Sequence, residues 1–188
     1  MELVDSKSFK EQILEKKGVV VIDFFATWCG PCKTLSPIME ELSAENKNPA
    51  IRFAKIDVDQ NGELAGLYGV MSIPTVVILK DGKFVTQFVG VQTKETYRKA
   101  SLDALAYKAP AKPDVTLFTT PTCPYCHLAK AYFKEQKIAV TEIDVTKDNE
   151  MARKMIDRSG EMGVPQIWIN GQVVIGFNKP QIELILGC

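Results

Sequence analysis

The sequence predicts an α/β protein made of two tandem small domains, each a mixed central sheet flanked by helices. Three observations carry this. A strand–helix–strand pattern followed by a hairpin and a closing helix occurs twice in 188 residues. Residues 108–113, Lys-Ala-Pro-Ala-Lys-Pro, separate the two copies without a large apolar side chain. Each copy also places a Cys-x-x-Cys pair where its first strand gives way to a helix. The expected boundaries are 1–108 for the first domain, 109–113 for a proline-containing linker and 114–188 for the second domain. In an extended proline-rich form the joint spans roughly 20 Å and is semi-rigid.

The elements follow from local pattern. Ser8 to Lys17 has helical spacing, and Val19 to Phe25 is a β-branched and aromatic run expected as a buried strand. A helix is expected from Pro31, since proline suits the first helical position, with a kink at Pro37. Ile51 to Val58 is a second strand and Glu63 to Tyr68 a short helix. Thr75 to Leu79 and Lys83 to Val89 flank Asp81-Gly82, a hairpin signal. Thr93 to Tyr107 closes the domain as an amphipathic helix. In the second copy Val115 to Phe118 is a strand, Pro124 to Gln136 a helix, Ala139 to Asp144 a strand and Asp148 to Ser159 a helix. Gln166 to Ile169 and Gln172 to Ile175 flank Asn170-Gly171, a second hairpin signal, and Lys179 to Leu186 is helical.

Composition narrows the function classes. Apolar residues make up 46% and charged residues 24%, a globular profile rather than a disordered one. Lys plus Arg and Asp plus Glu are both 23, split 14 and 14 over residues 1–108 and 9 and 9 over the rest. Neither half has the basic excess of a nucleic-acid or acidic-membrane binder, so neither is expected as a partner. The first residues show no secretory pattern, and no stretch is apolar enough to cross a bilayer, so a cytoplasmic location is expected. Four of the five cysteines lie in the two Cys-x-x-Cys pairs. In a reducing compartment such pairs bind metal or do redox chemistry more often than they staple a fold.

The first pair sits in Trp28-Cys29-Gly30-Pro31-Cys32, between a strand and a helix. Unpaired N–H groups and the helix dipole favour a thiolate at Cys29, which makes it the attacking sulfur. Cys32, one turn on, resolves the mixed disulfide. Asp23 lies six residues before Cys29 in an otherwise apolar strand. Buried, its pKa would rise and it could accept a proton from Cys32; on an edge strand it would simply face water. Lys55, on the neighbouring strand, is either its ionic partner or a solvated lysine.

Asp23-Phe24-Phe25-Ala26-Thr27-Trp28-Cys29-Gly30-Pro31-Cys32, with Pro37, Lys55, Ile73-Pro74-Thr75 and Gly90, resembles thioredoxin in order and spacing over residues 1–108. The resemblance implies the thioredoxin fold and a cis peptide before Pro74, packed against the cysteines. It also implies an apolar substrate surface formed by Trp28, Gly30, Pro31, Ile73, Pro74 and Gly90.

The second pair, Thr122-Cys123-Pro124-Tyr125-Cys126, has the same placement, so Cys123 is the expected nucleophile and Cys126 the resolving thiol. With Gly163-Val164-Pro165-Gln166 and Gly176-Phe177, residues 114–188 resemble glutaredoxin, a second thioredoxin-fold domain. That implies a second cis-proline at Pro165 and a substrate surface of Pro124, Tyr125, Val164 and Pro165. Many glutaredoxins carry lysine three residues before the first cysteine, where this chain has Thr120. Ile175-Gly176-Phe177-Asn178-Lys179 also lacks their double glycine and acidic pair. Both departures are similar to glutaredoxin-like proteins reduced by thioredoxin reductase, some of which serve ribonucleotide reductase, and leave glutathione use open.

The resemblances together imply a protein-disulfide reductase or dithiol electron carrier with two redox-active disulfides and no bound cofactor. Its expected partners are a thioredoxin reductase-type donor and disulfide-containing clients such as ribonucleotide reductase or a peroxidase. Two independent reductases on one chain and an iron–sulfur scaffold are the alternatives; a holdase-type module using the apolar surface is a further one. Zinc is disfavoured because ninety residues separate Cys32 from Cys123. Cys123-x-x-Cys126-His127 matches a c-type haem attachment pattern without the export signal that fits it, and His127 is expected as an ordinary first-turn residue. Asp57-x-Asp59-x-Asn61-Gly62 imitates a calcium loop but has Tyr68 where the twelfth residue should be Glu. Cys188 is expected as an unpaired tail thiol, with an extra resolving role the alternative.

Overall fold

The computed structural model describes residues 1–108, 110 and 112–186. The chain divides into two compact units, Met1–Ala109 and Pro110–Cys188. The expected linker falls partly on residues outside the described set, and Cys188 lies outside it.

In the first unit the strands are β1 (Glu2–Leu3), β2 (Val19–Phe25), β3 (Ile51–Asp57), β4 (Thr75–Lys80) and β5 (Lys83–Val89). The helices are α1 (Gly30–Glu45), α2 (Gly62–Leu67) and α3 (Lys94–Leu105). The sheet order is β1-β3-β2-β4-β5, with β1, β3 and β2 parallel and β4 and β5 antiparallel. β2 is therefore central and packed on both faces, which is why its sequence runs nearly continuously apolar. Val19 and Val21 join Leu35 and Met39 of α1 and Tyr97 of α3 in one core. On the opposite face Phe24 meets Tyr68, which also packs on Phe9.

The second unit contains β6 (Val115–Thr119), α4 (Pro124–Glu135), β7 (Thr141–Asp144), α5 (Asn149–Ser159), β8 (Gln166–Ile169), β9 (Gln172–Ile175) and α6 (Lys179–Leu186). Its sheet order, β7-β6-β8-β9, repeats that of the first unit without the outer strand β1. β6 is parallel to β7 and antiparallel to β8. Both units are thus mixed sheets flanked by helices. The hairpins are as the sequence signals: Asp81 and Gly82 have φ of 51° and 76°, Asn170 and Gly171 of 51° and 86°. Positive φ at both central residues matches the twist of the paired strands.

Three segments differ from sequence expectation. The helix expected from Ser8 to Lys17 is a five-residue π-helical turn, Lys10–Leu14. Arg52 Nη1 donates to Gln12 O at 2.7 Å, diverting that carbonyl, and the turn closes through Glu15 N to Lys10 O at 3.0 Å. Strand β7 starts at Thr141 rather than Ala139, because Ile138 and Val140 pack on the core instead of extending the ladder. β1 is too short to leave a period in the sequence. Helix α1 is continuous through Pro37.

Candidate active sites

Strand β2 delivers the chain through Ala26-Thr27-Trp28 to Cys29, the N-cap of α1. Its extended backbone, φ −73° and ψ 111°, turns Sγ back over the helix end, where it accepts the Cys32 N–H at 3.2 Å. Pro31 follows, where a missing N–H costs the helix nothing. Cys29 and Cys32 form a disulfide with Cα atoms 5.3 Å apart and are 3% and 4% exposed. Gly30 and Pro31 are exposed beside them. The Ile73–Pro74 peptide is cis, and Ile73 packs on the cluster of Ala26, Cys29 and Cys32. Pro74 O accepts the Gly90 N–H at 2.8 Å, which brings Gly90 beside the cis-proline; Gly90 has φ of +78°. Trp28 is 68% exposed, and its indole N–H donates to Asp59 Oδ2 at 2.8 Å.

Asp23 is only 2% exposed in the middle of the sheet, and its Oδ1 is buried without a hydrogen-bond partner. The water-facing edge-strand alternative is therefore excluded. Burial pushes the carboxyl from the ordinary aspartate value of 3.8 up to about 7, against the smaller opposing pull of the Lys55 charge. Lys55 is directly opposite in register, half-buried, and forms no ion pair with Asp23 within 4.0 Å; its ammonium lies 5.8 Å from the Phe25 ring centroid. It is therefore neither a contact ion-pair partner nor a fully solvated lysine. A cavity of about 260 Å³ is lined by Asp23, Lys55, Cys32 and Ser36. It joins the buried acid to the resolving sulfur and has room for water.

The second site repeats this geometry. Cys123 is the N-cap of α4, its Sγ accepts the Cys126 N–H at 3.1 Å, and the two cysteines form a disulfide with Cα atoms 5.3 Å apart. Cys123 is half-buried and Cys126 fully buried, so Cys123 is the sulfur that a partner reaches. The Val164–Pro165 peptide is cis, and Val164 O lies 3.7 Å from Cys123 Sγ. Pro165 O accepts the Gly176 N–H at 2.9 Å, as Pro74 O does from Gly90. Pro124 and Tyr125 are exposed. His127 occupies the first helical turn, its backbone N–H donating to Cys123 O at 3.3 Å.

The first site has a buried acid and, among the described residues, the second does not. Six residues before Cys123, where the first unit has Asp23, stands the buried Leu117. Opposite Leu117 in register, as Lys55 is opposite Asp23, stands the exposed Glu142. Glu142 pairs with Lys130 and accepts from Thr119 Oγ1 at 3.0 Å. The Lys130 hydrogen bond, with a smaller contribution from Thr119, holds its carboxyl below the ordinary glutamate range.

Two supporting residues escape a sequence reading. Tyr97, fully buried on α3, accepts from Gln92 N at 3.0 Å and donates to Gly90 O at 3.3 Å, tying down the loop beside Pro74. Asp59 belongs in the sequence to the calcium-like run, yet here it holds Trp28, while Asp57 bonds within its own turn and Asn61 bonds both there and to Ser6. The Trp28–Asp59 bond joins segments 31 residues apart, while Tyr97 reaches back five and seven residues, and neither pairing leaves a pattern in the sequence. Among the described residues, no group of three or more His, Cys, Asp or Glu is placed to hold a metal ion, and no helix is long and apolar enough to cross a membrane.

Residues 1–104 match the family model for thioredoxin. The chain belongs to the thioredoxin family. The thioredoxin of Bacillus subtilis (strain 168) is 50% identical over 93 residues, which are 50% of this chain and 86% of that protein. The thioredoxin of Chlorobaculum thiosulfatiphilum is 45% identical over 93 residues, 50% of this chain and 85% of its own. Among solved structures, a mutant thioredoxin from Halobacterium salinarum NRC-1 superposes with a TM-score of 0.51 at 34% identity, covering 58% of this chain and 93% of that one. Residues 115–174 match the family model for glutaredoxin, so the thioredoxin domain is fused to a glutaredoxin-like domain. Two intact disulfide-forming Cys-x-x-Cys pairs in these folds support disulfide-reductase activity.

Proposed function

We propose that the chain relays electrons from the thioredoxin dithiol to the glutaredoxin-like dithiol and from there to a client protein disulfide. The observation that carries this reading is the doubled N-cap geometry: each leading sulfur accepts the N–H of its resolving cysteine at a helix N-terminus. Cys29 and Cys123 are thereby poised as thiolates.

A thioredoxin reductase-type donor reduces Cys29–Cys32. The Cys29 thiolate attacks Cys123 Sγ; an S–S bond forms between them, the Cys123–Cys126 bond breaks, and Cys126 leaves as a thiolate. Cys32 gives its proton to Asp23 through their shared cavity and attacks Cys29 Sγ. That step closes the Cys29–Cys32 disulfide and releases Cys123 as a thiolate, which attacks the client disulfide. Cys126 resolves the second mixed disulfide. Two electrons move at each exchange, and no metal or organic cofactor enters. Trp28, Gly30, Pro31, Ile73, Pro74 and Gly90 line the first docking surface, and Pro124, Tyr125, Val164 and Pro165 the second. Lys55 moderates the field at Asp23.

Potentials typical of the two families, about −270 mV for thioredoxin and roughly −200 to −230 mV for glutaredoxins, favour this direction by about 2–3 kcal/mol. Tethering raises the effective concentration of one dithiol near the other to the mM range. The test reduces the full chain with NADPH and thioredoxin reductase and measures the Cys123–Cys126 thiols by alkylation and mass spectrometry. A Cys29→Ser, Cys32→Ser chain is expected to leave that disulfide oxidised. Equal reduction with and without the first dithiol would replace the relay by two independent reductases. Running the same assay with glutathione and glutathione reductase as the electron source decides whether glutathione is used.

A further inference from the structure

Among the described residues, ten large apolar side chains are exposed, and eight of these lie within three residues of a site cysteine, a cis-proline or the glycine bonded to it. The two units place them in matching positions. Met71 stands three residues before Pro74 and Met162 three residues before Pro165, and at 81% and 77% exposure they are the barest of the set. Val89 and Ile175 directly precede Gly90 and Gly176, opposite the residues that follow the two cis-prolines.

The segments that carry and flank the sulfurs are themselves free of charged side chains. Segments 26–32, 69–76 and 84–92 in the first unit, and 120–126, 162–166 and 172–178 in the second, contain no Asp, Glu, Lys, Arg or His. A fold gains nothing from leaving an unbranched thioether in water, and these two lie beside the groups that react with a partner. Methionine is flexible and polarizable, so it adapts to varied apolar surfaces without demanding one shape.

We propose that Met71 and Met162 are equivalent specificity-determining residues, and that both dithiols select polypeptide disulfides whose flanking side chains are apolar and uncharged. This rests on the reading of both pairs as reductase sites, but not on the relay between them. For the second site it means that a small disulfide carrying carboxylates is a poor substrate, since none of its three segments carries a cation to receive them.

The test isolates each site in the full chain, with Cys29→Ser, Cys32→Ser for the second and Cys123→Ser, Cys126→Ser for the first. Dithiothreitol charges the remaining dithiol, excess reductant is removed, and single-turnover rates are measured on two cystine peptides. One has leucine beside each cysteine and the other glutamate; glutathione disulfide is a third substrate. The leucine peptide is expected to react roughly tenfold faster than either acidic disulfide. Met162→Gln or Met71→Gln, in the chain carrying its own site, is expected to shrink that ratio roughly three- to fivefold. A ratio near one, or a ratio untouched by either methionine change, overturns the proposal. Failure of an isolated site to reduce any of the three disulfides overturns both the proposal and the reductase reading of that site. Because dithiothreitol bypasses the first exchange, failure of the relay leaves the outcome unaffected.

Discussion

Replacing Asp23 with leucine, the residue that the second unit carries at the same register, is expected to stabilise the first unit at pH 8 while crippling its chemistry. Asp23 titrates at about 7 in the folded chain and near its ordinary value of 3.8 when unfolded. Between those values the unfolded chain loses a proton that the folded chain keeps, so stability falls as pH rises through that window and levels off above about 7. At about 1.4 kcal/mol per pH unit the full cost reaches about 4 kcal/mol, of which about 3 kcal/mol accrues between pH 5 and 8. Leucine removes the titration, so the advantage of the variant grows by that amount over the same interval. Each unit carries one tryptophan, Trp28 and Trp168, so the measurement uses a Trp168→Phe background. The indole N–H of Trp168 is buried without a partner, so phenylalanine forfeits no hydrogen bond there. Urea unfolding is followed by Trp28 fluorescence at pH 5, 6, 7 and 8. In parallel, reduction by Cys29/Cys32 in wild type rises with pH through about 7, as Asp23 ionises and accepts the Cys32 proton. In the variant that inflection disappears and the rate drops about 10²-fold. An advantage that is the same at pH 5 and pH 8 would refute the argument, because it would mean that Asp23 has the same pKa folded and unfolded.

Two further outcomes test the supporting framework. Tyr97→Phe leaves Gln92 N and Gly90 O without their partner, costing about 1–2 kcal/mol by denaturant unfolding; it also raises the client KM of the first site more than it lowers kcat, because the Gly90 loop loosens. Gly82→Ala places a Cβ 2.8 Å from the backbone oxygen of Leu14 at φ of +76°, whereas Gly171→Ala meets only the movable Arg158 side chain at 3.5 Å. The first substitution is expected to cost about 2–3 kcal/mol and the second about 1 kcal/mol, read from the tryptophan signal of each unit.

Much of this protein is legible in the sequence because its key features are local. The hairpins at Asp81-Gly82 and Asn170-Gly171 depend on two adjacent residues tolerating positive φ, and the strand Val19–Phe25 declares its central position by being apolar on both faces. Cys29 and Cys123 cap helices because proline follows one or two residues later and the preceding strand ends in a short loop. The segment before β2 departs from its helical spacing because its outcome depends on Arg52, forty residues away, capturing the Gln12 carbonyl. Periodicity within Ser8 to Lys17 contains no trace of that competition. Lys55 is undecidable from sequence for the same reason: register puts it opposite Asp23, but whether its ammonium makes contact depends on how both side chains lie across the sheet.

What the sequence determined by itself is the doubled plan and the location of its reactive sulfurs. Strand, capping cysteine and helix are consecutive in the chain, so short-range geometry suffices. What the tertiary structure alone decided is how each sulfur is equipped. It buried Asp23 in the centre of a sheet with an orphaned oxygen, placed Leu117 in the same niche of the second unit, and left Glu142, opposite Leu117, exposed and paired with Lys130. Proton affinity depends on the dielectric surroundings and on charges brought near by distant strands and helices, and these do not exist until the chain has packed.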